Sequence, residues 1–287
     1  MKKYILISIL FLFTLTLNAM NWPSEDASLL SGFGTNDQGR PLLGMIFSGG
    51  TDILSSDSGE VIFTRNKKDA SRLPSPLGSW IAIDHGDLIS IYSRFEENKN
   101  INKNNRKRSS EKIASSGISG MSNTEGFYFQ IFDRFQRRWI NPELVLKPER
   151  RTRSPEILSV ELRCERGSIV DSRNITQGRY TIFVNSRGGR GNDFITEDVN
   201  SRLAPHRIVC LVNGEEVDFL NFESFSVRDG VLMAHRSGLI PANRVYANFP
   251  FFETADVFFN RGQVNLEIIS YDIHGNSRNV VHRFNVN

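Results

Sequence analysis

Residues 111–131, EKIASSGISGMSNTEGFYFQI, decide how the fold of this chain is interpreted. The last seven residues of this run alternate in polarity, as a β-strand with one buried face does. The apolar face of the strand carries Phe127, Phe129 and Ile131. The opposite face carries Gly126 and Tyr128, and a Ser/Gly-rich turn comes before the strand. We therefore predict a strand that has one face in the core and the other at a site or a surface.

Two upstream segments carry similar signals. Residues 47–53 read FSGGTDI and place Asp52 just after a glycine pair. Residues 78–87 read GSWIAIDHGD and continue into LISIYSRF at 88–95. This second segment predicts two apolar strands joined by a tight turn that contains His85.

These segments resemble, in the same order, the motifs of the lysostaphin/LytM-type zinc endopeptidases, which cut peptidoglycan cross-bridges. The family motifs read Phe-His-x-Gly-x-Asp-Ile, then Ile-Asp-His-Gly followed by Tyr-Ala-His, and finally His-x-His on the last strand. The resemblance covers residues 30–147. It implies that the first part of the chain is a LytM-type antiparallel β-sheet core domain.

The resemblance also implies which positions formed the active site. The three zinc-ligand positions of the family correspond to Ser48, Asp52 and Tyr128, and the two catalytic histidine positions correspond to Arg94 and Gly126. Only Asp52 retains the residue type of the family. His85 corresponds to a turn histidine of the family that is not a zinc ligand, so the resemblance implies that it makes local hydrogen bonds. We therefore expect no catalytic residue and no metal ligand here, and we interpret the domain as a pseudoenzyme. The former groove, lined by Ser48, Asp52, Arg94 and Tyr128, becomes the predicted binding surface.

Zinc chemistry supports this interpretation. A catalytic zinc ion needs three protein ligands and an open position for water, and a single carboxylate does not supply them. A buried carboxylate without a partner is costly, so we hypothesise that Arg94 pairs with Asp52 while Tyr128 fills the volume of the lost histidine. No cofactor is predicted. The alternative is an active zinc endopeptidase with a rebuilt site that recruits a residue such as His85.

The N-terminus predicts export. Residues 1–19 combine two lysines, an apolar run and a small residue, Ala19, at the exit, which is typical of a cleaved signal peptide. The rival interpretation is a membrane anchor, but the run is shorter than the ~20 apolar residues that a spanning helix needs. We expect an exported protein of the periplasm or cell envelope, without a membrane span after signal cleavage.

The rest of the chain predicts a second β domain. Short strands recur after residue 155 without a helical period, which favours an immunoglobulin-like β-sandwich. The predicted organisation is therefore all-β, with four parts: a signal peptide at 1–19, a degenerate LytM-type domain at 20–147, a linker at 148–155 and the sandwich at 156–287. Cys164 and Cys210 either pair as a disulfide or remain free thiols.

Three functions stay open from the sequence. The first is a non-catalytic envelope protein that binds peptidoglycan or a cell-wall amidase. The second is the active zinc endopeptidase, and the third is a structural module of an exported assembly. The chain has a formal net charge of +3, its basic cluster at residues 99–112 lacks the interleaved aromatic residues of single-strand nucleic-acid binders, and an exported protein rarely meets nucleic acid. No nucleic-acid partner is therefore expected.

Overall fold

The computed structural model describes residues 19–37, 39–66, 75–96, 105–120, 123–148, 154–164, 174–189 and 203–287. Residues 1–18 of the predicted signal peptide and residues 149–153 of the predicted linker lie outside these ranges. The domain boundaries stay a prediction.

The strands of the first part of the chain are β1 (Leu29–Ser31), β2 (Asn36–Asp37), β3 (Arg40–Pro41), β4 (Met45–Ser48), β5 (Asp52–Leu54), β6 (Gly59–Arg65), β7 (Trp80–Asp84), β8 (Leu88–Ser93), β9 (Arg106–Lys107), β10 (Lys112–Ser115), β11 (Gly126–Asp133) and β12 (Arg138–Ile140). A 3₁₀ helix follows at Pro142–Leu144.

The strands of the second part are β13 (Glu156–Cys164), β14 (Asn174–Ile175), β15 (Gly178–Arg187), β16 (Arg207–Val212), β17 (Glu215–Arg228), β18 (Val231–His235), β19 (Leu239–Pro241), β20 (Phe252–Phe259), β21 (Gly262–Tyr271) and β22 (Ser277–Val286). The short helix α1 (Ala242–Tyr246) precedes β20.

The predicted all-β class is confirmed. The main sheet runs in the order β14-β22-β21-β16-β17-β12-β11-β8-β7-β6-β9. Its strand pairs are antiparallel, except that β14 pairs with β22 in parallel. Within the described ranges, α1 is the only α-helix. No helix among these residues is long and apolar enough to span a membrane.

The predicted strand at 125–131 is β11, and it lies at the centre of the first part of the fold. It pairs with β8 on one side, with Phe129 opposite Tyr92. On the other side it pairs with β4 and then β12. The apolar residues Phe127, Phe129 and Ile131 are fully buried, as the alternation predicts. This core also contains Met20, at the start of the described chain.

The second part of the chain encloses a separate core between two sheets. The three-stranded sheet β13-β15-β20 contributes Ile182 and Ala255 to this core, and the main sheet contributes Ile208 and Leu266. Two layers therefore share one apolar interior, as in a sandwich. The immunoglobulin-like topology of this sandwich stays a prediction. The thiol of Cys210 is free and is buried in the same core.

The two parts of the chain are joined by a strand pair. Strand β12 pairs with β11 of the first part and with β17 of the second, with Trp139 opposite Phe225. The main sheet is therefore continuous across both parts.

A segment from the first part also packs into the second core. Phe33 is 3% exposed, and its ring centroid lies 5.3 Å from that of Phe225. Tyr246 of α1 donates a hydrogen bond from its hydroxyl to the carbonyl of Gly34 at 2.6 Å. The Phe-Gly pair of the first part is therefore an anchor between the two parts.

Candidate functional site

Four of the five predicted site positions lie on, or directly beside, paired strands: Ser48, Arg94, Gly126 and Tyr128. Gly126 at the start of β11 lies opposite Ser48 at the end of β4. Tyr128, two residues further along β11, lies opposite Ser93 of β8, and Arg94 follows directly. Asp52 begins β5, which is reached from β4 through the short Gly49–Thr51 loop. The positions that the family uses for zinc and catalysis therefore share one region of the fold.

The predicted Arg94–Asp52 ion pair is wrong. Asp52 pairs instead with Lys112 of β10, with 2.7 Å between Nζ and Oδ1. The hydroxyl of Ser115, which is opposite Asp52 in the β10–β5 register, donates to the same oxygen at 3.4 Å. The Asp52 and Lys112 side chains are 53% and 55% exposed, so the carboxylate is hydrated and needs no buried arginine.

Arg94 lies against Tyr128 rather than at the carboxylate. Its guanidinium carbon is 5.3 Å from the centroid of the Tyr128 ring, within the range of a cation–π contact. Its buried Nε has no hydrogen-bond partner among the described residues. Tyr128 is 6% exposed. Burial raises the pKa of its phenol, and the positive charge of Arg94 opposes that rise only in part. The phenol of Tyr128 therefore keeps its proton at neutral pH in this fold.

Gly126 occupies a position that leaves no room for a side chain. It forms an isolated bridge with Gly117, in which each amide donates to the other residue's carbonyl at 3.2–3.3 Å. A Cβ at position 126 would lie 2.5 Å from the carbonyl oxygen of Phe47. Real side chains do not approach a backbone oxygen so closely. The backbone at this former histidine position is therefore suited to glycine.

Ser48 is also engaged within the fold. Its hydroxyl oxygen accepts a hydrogen bond from the amide of Ser28 at 2.9 Å, and its own amide donates to the carbonyl of Ser28 at 2.9 Å. These bonds fasten the end of β4 to the residue that precedes β1. The Ser48 side chain therefore has a structural partner at the former zinc position.

Two site residues were missed by the sequence reasoning: Lys112 and Glu125. Glu125 directly precedes β11, and its Oε1 accepts from the amide of Gly50 at 2.7 Å and from the hydroxyl of Ser116 at 3.3 Å. It thereby ties the loop before Asp52 to the start of β11. The sequence carried a signal for Glu125, because this exposed acidic residue lies directly before Gly126, the former histidine position. Sequence offered no signal that Lys112 lies beside Asp52.

His85 has the local role that the sequence predicts. Its Nδ1 lies 2.8 Å from the carbonyl oxygen of Ser58, and its Nε2 lies 2.7 Å from the hydroxyl of Ser90. Both ring nitrogens are therefore engaged, one with the residue directly before β6 and the other with β8. A zinc site that recruits His85 would have to break one of these bonds.

The residues at this site do not fit a catalytic zinc ion. Asp52 pairs with Lys112, the Ser48 hydroxyl accepts a hydrogen bond from a backbone amide, and Tyr128 is buried. The guanidinium of Arg94 also lies in this region and would repel a zinc ion. Among the residues that the structure describes, no three His, Cys, Asp or Glu side chains are grouped so that they could hold a metal.

Similar solved structures are peptidase domains. The catalytic domain of the M23 protein EnpA from Enterococcus faecalis is 16% identical, over 43% of this chain and 95% of that domain, with a TM-score of 0.37. The lysostaphin catalytic domain from Staphylococcus simulans is 18% identical, over 42% of this chain and 93% of its own length, with a TM-score of 0.36. A zinc-containing peptidase from Vibrio cholerae is 22% identical, over 46% and 40% of the two chains, with a TM-score of 0.38.

Each of these alignments leaves more than half of this chain unmatched. A family model that carries no functional description matches residues 154–287. No curated protein matches the chain.

Proposed function

We propose that this chain is a non-catalytic protein of the cell envelope that binds peptidoglycan or regulates a cell-wall hydrolase such as an amidase. The observation that carries the proposal is the new set of partners at the former zinc positions. Asp52 pairs with Lys112, and Ser48 accepts a hydrogen bond from a backbone amide. A domain whose ligand groups are engaged in this way retains the paired strands β4, β8 and β11 without the metal chemistry of a peptidase.

The relation to peptidoglycan is supported by the motif order in the sequence together with the register of β4, β8 and β11. Three short motifs that are far apart in the chain supply neighbouring positions in the fold. A chance resemblance of short motifs would not require this convergence. We therefore propose that the groove descends from a peptidoglycan endopeptidase and keeps affinity for cell-wall material.

The exposed half of the groove is the proposed contact surface. Asp52, Lys112 and Glu125 are exposed and supply both signs of charge. Ile118, in the turn before β11, is 58% exposed and adds an apolar contact. Tyr128 is buried and so lies outside this surface. Ion pairs and an apolar side chain at one place suit a peptide with charged and aliphatic side chains, as in cell-wall peptides.

A sacculus pull-down tests the proposal. Purified protein should be retained by isolated peptidoglycan without releasing muropeptides, or should raise the activity of an added amidase. The variant Lys112→Ala, which removes an exposed groove cation, should weaken retention severalfold. Arg187→Ala is the matched control, because it removes a similarly exposed ion-pair arginine from the second part of the chain.

Two results would overturn the proposal. One is zinc-dependent release of muropeptides, which would establish the active endopeptidase instead. The other is an absence of both sacculus retention and amidase activation, which would favour the purely structural module.

A further inference from the structure

The first residue after the predicted signal cleavage site is already part of the fold. Met20 forms an isolated parallel bridge with Leu146. Its amide donates to the carbonyl of Val145 at 2.8 Å, and its carbonyl accepts from the amide of Lys147 at 2.8 Å. Its side chain is 5% exposed and belongs to the core of the first part. Ala19, on the other side of the predicted cut, is exposed.

The next two residues are tied down as well. The amide of Asn21 donates to the carbonyl of Ser56 at 2.7 Å, and its side-chain amide donates to the hydroxyls of Ser109 and Ser110 at 2.8 and 2.9 Å. The indole of Trp22 donates to the carbonyl of Lys147 at 2.9 Å. The chain therefore has no free linker between the predicted cut and the folded domain.

A protease must hold several residues on each side of the bond that it cuts in an extended and accessible form. Residues 20–22 become extended and accessible only when the Met20–Leu146 bridge and their hydrogen bonds break and the Met20 side chain leaves the core. Such local opening is a minor population of a folded domain, and the cleavage rate falls in proportion to that population.

We propose that the Ala19–Met20 bond is cut efficiently only before residues 20–22 are built into the domain, so that folding competes with removal of the leader. The inference rests on the predicted signal peptide. Cleavage adds water across this bond and gives the carboxylate of Ala19 and the α-amine of Met20. The α-amine of Met20 can still donate a hydrogen bond to the carbonyl of Val145, so the mature chain keeps the bridge between Met20 and Leu146.

Two products follow from this competition. A chain that is cut while still unfolded is released as the mature protein, with Met20 as its first residue. A chain that folds first keeps its apolar leader and stays attached at the membrane. The ratio of released to attached protein is then set by the folding rate of the first part of the chain.

The test uses full-length precursor, folded in mild detergent and incubated with a purified bacterial signal peptidase. Its comparison variant carries four inserted residues, Gly-Ser-Gly-Ser, between Ala19 and Met20, which supply the missing linker. We expect the folded precursor to be cut about 100-fold more slowly than the insertion variant. Unstructured peptides that span each junction should be cut at similar rates.

Three results would overturn the inference. The first is equal cleavage of the two folded proteins. The second is resistance of the folded insertion variant when its peptide is cut, because protection would then lie elsewhere than in residues 20–22. The third is failure of the wild-type peptide to be cut, which would remove the predicted cleavage site itself.

Discussion

Replacing Gly126 by alanine should destabilise the first part of the fold, although alanine is the smallest side chain that can be added. The new Cβ would lie 2.5 Å from the carbonyl oxygen of Phe47, about 1 Å inside ordinary contact. Strand β4 would have to move away from β11 and would strain the pairing of Gly126 with Ser48. Overpacking of this kind costs about 1–3 kcal/mol. For a protein of this size we expect a fall in Tm of about 4–8 °C for about 2 kcal/mol.

The measurement is thermal and urea unfolding, followed by tryptophan fluorescence and circular dichroism. Gly238→Ala is the matched control, because a Cβ at that exposed position meets no atom within 4 Å. The control should change stability by less than about 0.5 kcal/mol. Gly126→His, which restores the residue of the peptidase family, should be at least as unstable as Gly126→Ala. If Gly126→Ala proves as stable as the control, the backbone at this position does not exclude a side chain and our reasoning fails.

Three further predictions concern stability. Phe33→Ala should cost about 3–5 kcal/mol in urea unfolding, because a ring that is 3% exposed leaves the second core; a loss below 1 kcal/mol would contradict its role as an anchor. Arg236→Ala should cost about 3–5 kcal/mol, because the buried carboxylate of Asp218 loses its arginine while Glu253 keeps Arg244, whereas Arg187→Ala should cost less than about 1 kcal/mol; equal losses would refute this. Burial lowers the pKa of both His206 and His235, so protonation favours the unfolded chain. Stability from these two groups should be present above pH ~6.5 and be lost as the pH falls below it, and a Tm that rises between pH 7 and pH 5.5 would contradict this.

Local sequence patterns predicted the central strands of the first part, β7, β8 and β11, and the presence of further strands after residue 155. The alternation at 125–131 placed Phe127 and Phe129 in the core, where both are fully buried. The longest strand, β17 (Glu215–Arg228), was not predicted. Its alternation is interrupted where its pairing with β18 shifts register between Asn221 and Ser226, so no single period describes it. The β12–β17 pair, which joins the two parts, is a long-range contact that no local pattern specifies.

The candidate site was predicted only in part, and the reason is again the range of its contacts. We assigned each family motif to residues of this chain. This assignment placed Ser48, Gly126 and Tyr128 together, because the order of the motifs implies which strands pair. The partner of Asp52 was predicted incorrectly as Arg94. Lys112 reaches Asp52 through the register of two short strands about 60 residues apart, which composition and spacing do not determine.

Zinc titration of the purified protein, followed by dialysis and elemental analysis, tests the central claim most directly. The claim is that the former metal position of a peptidase fold can no longer hold its metal. We predict that zinc is not retained in stoichiometric amounts and that Asp52→Asn leaves the zinc content unchanged. Retention of one zinc ion per chain, lost on Asp52→Asn and accompanied by cleavage of cell-wall peptides, would contradict the claim.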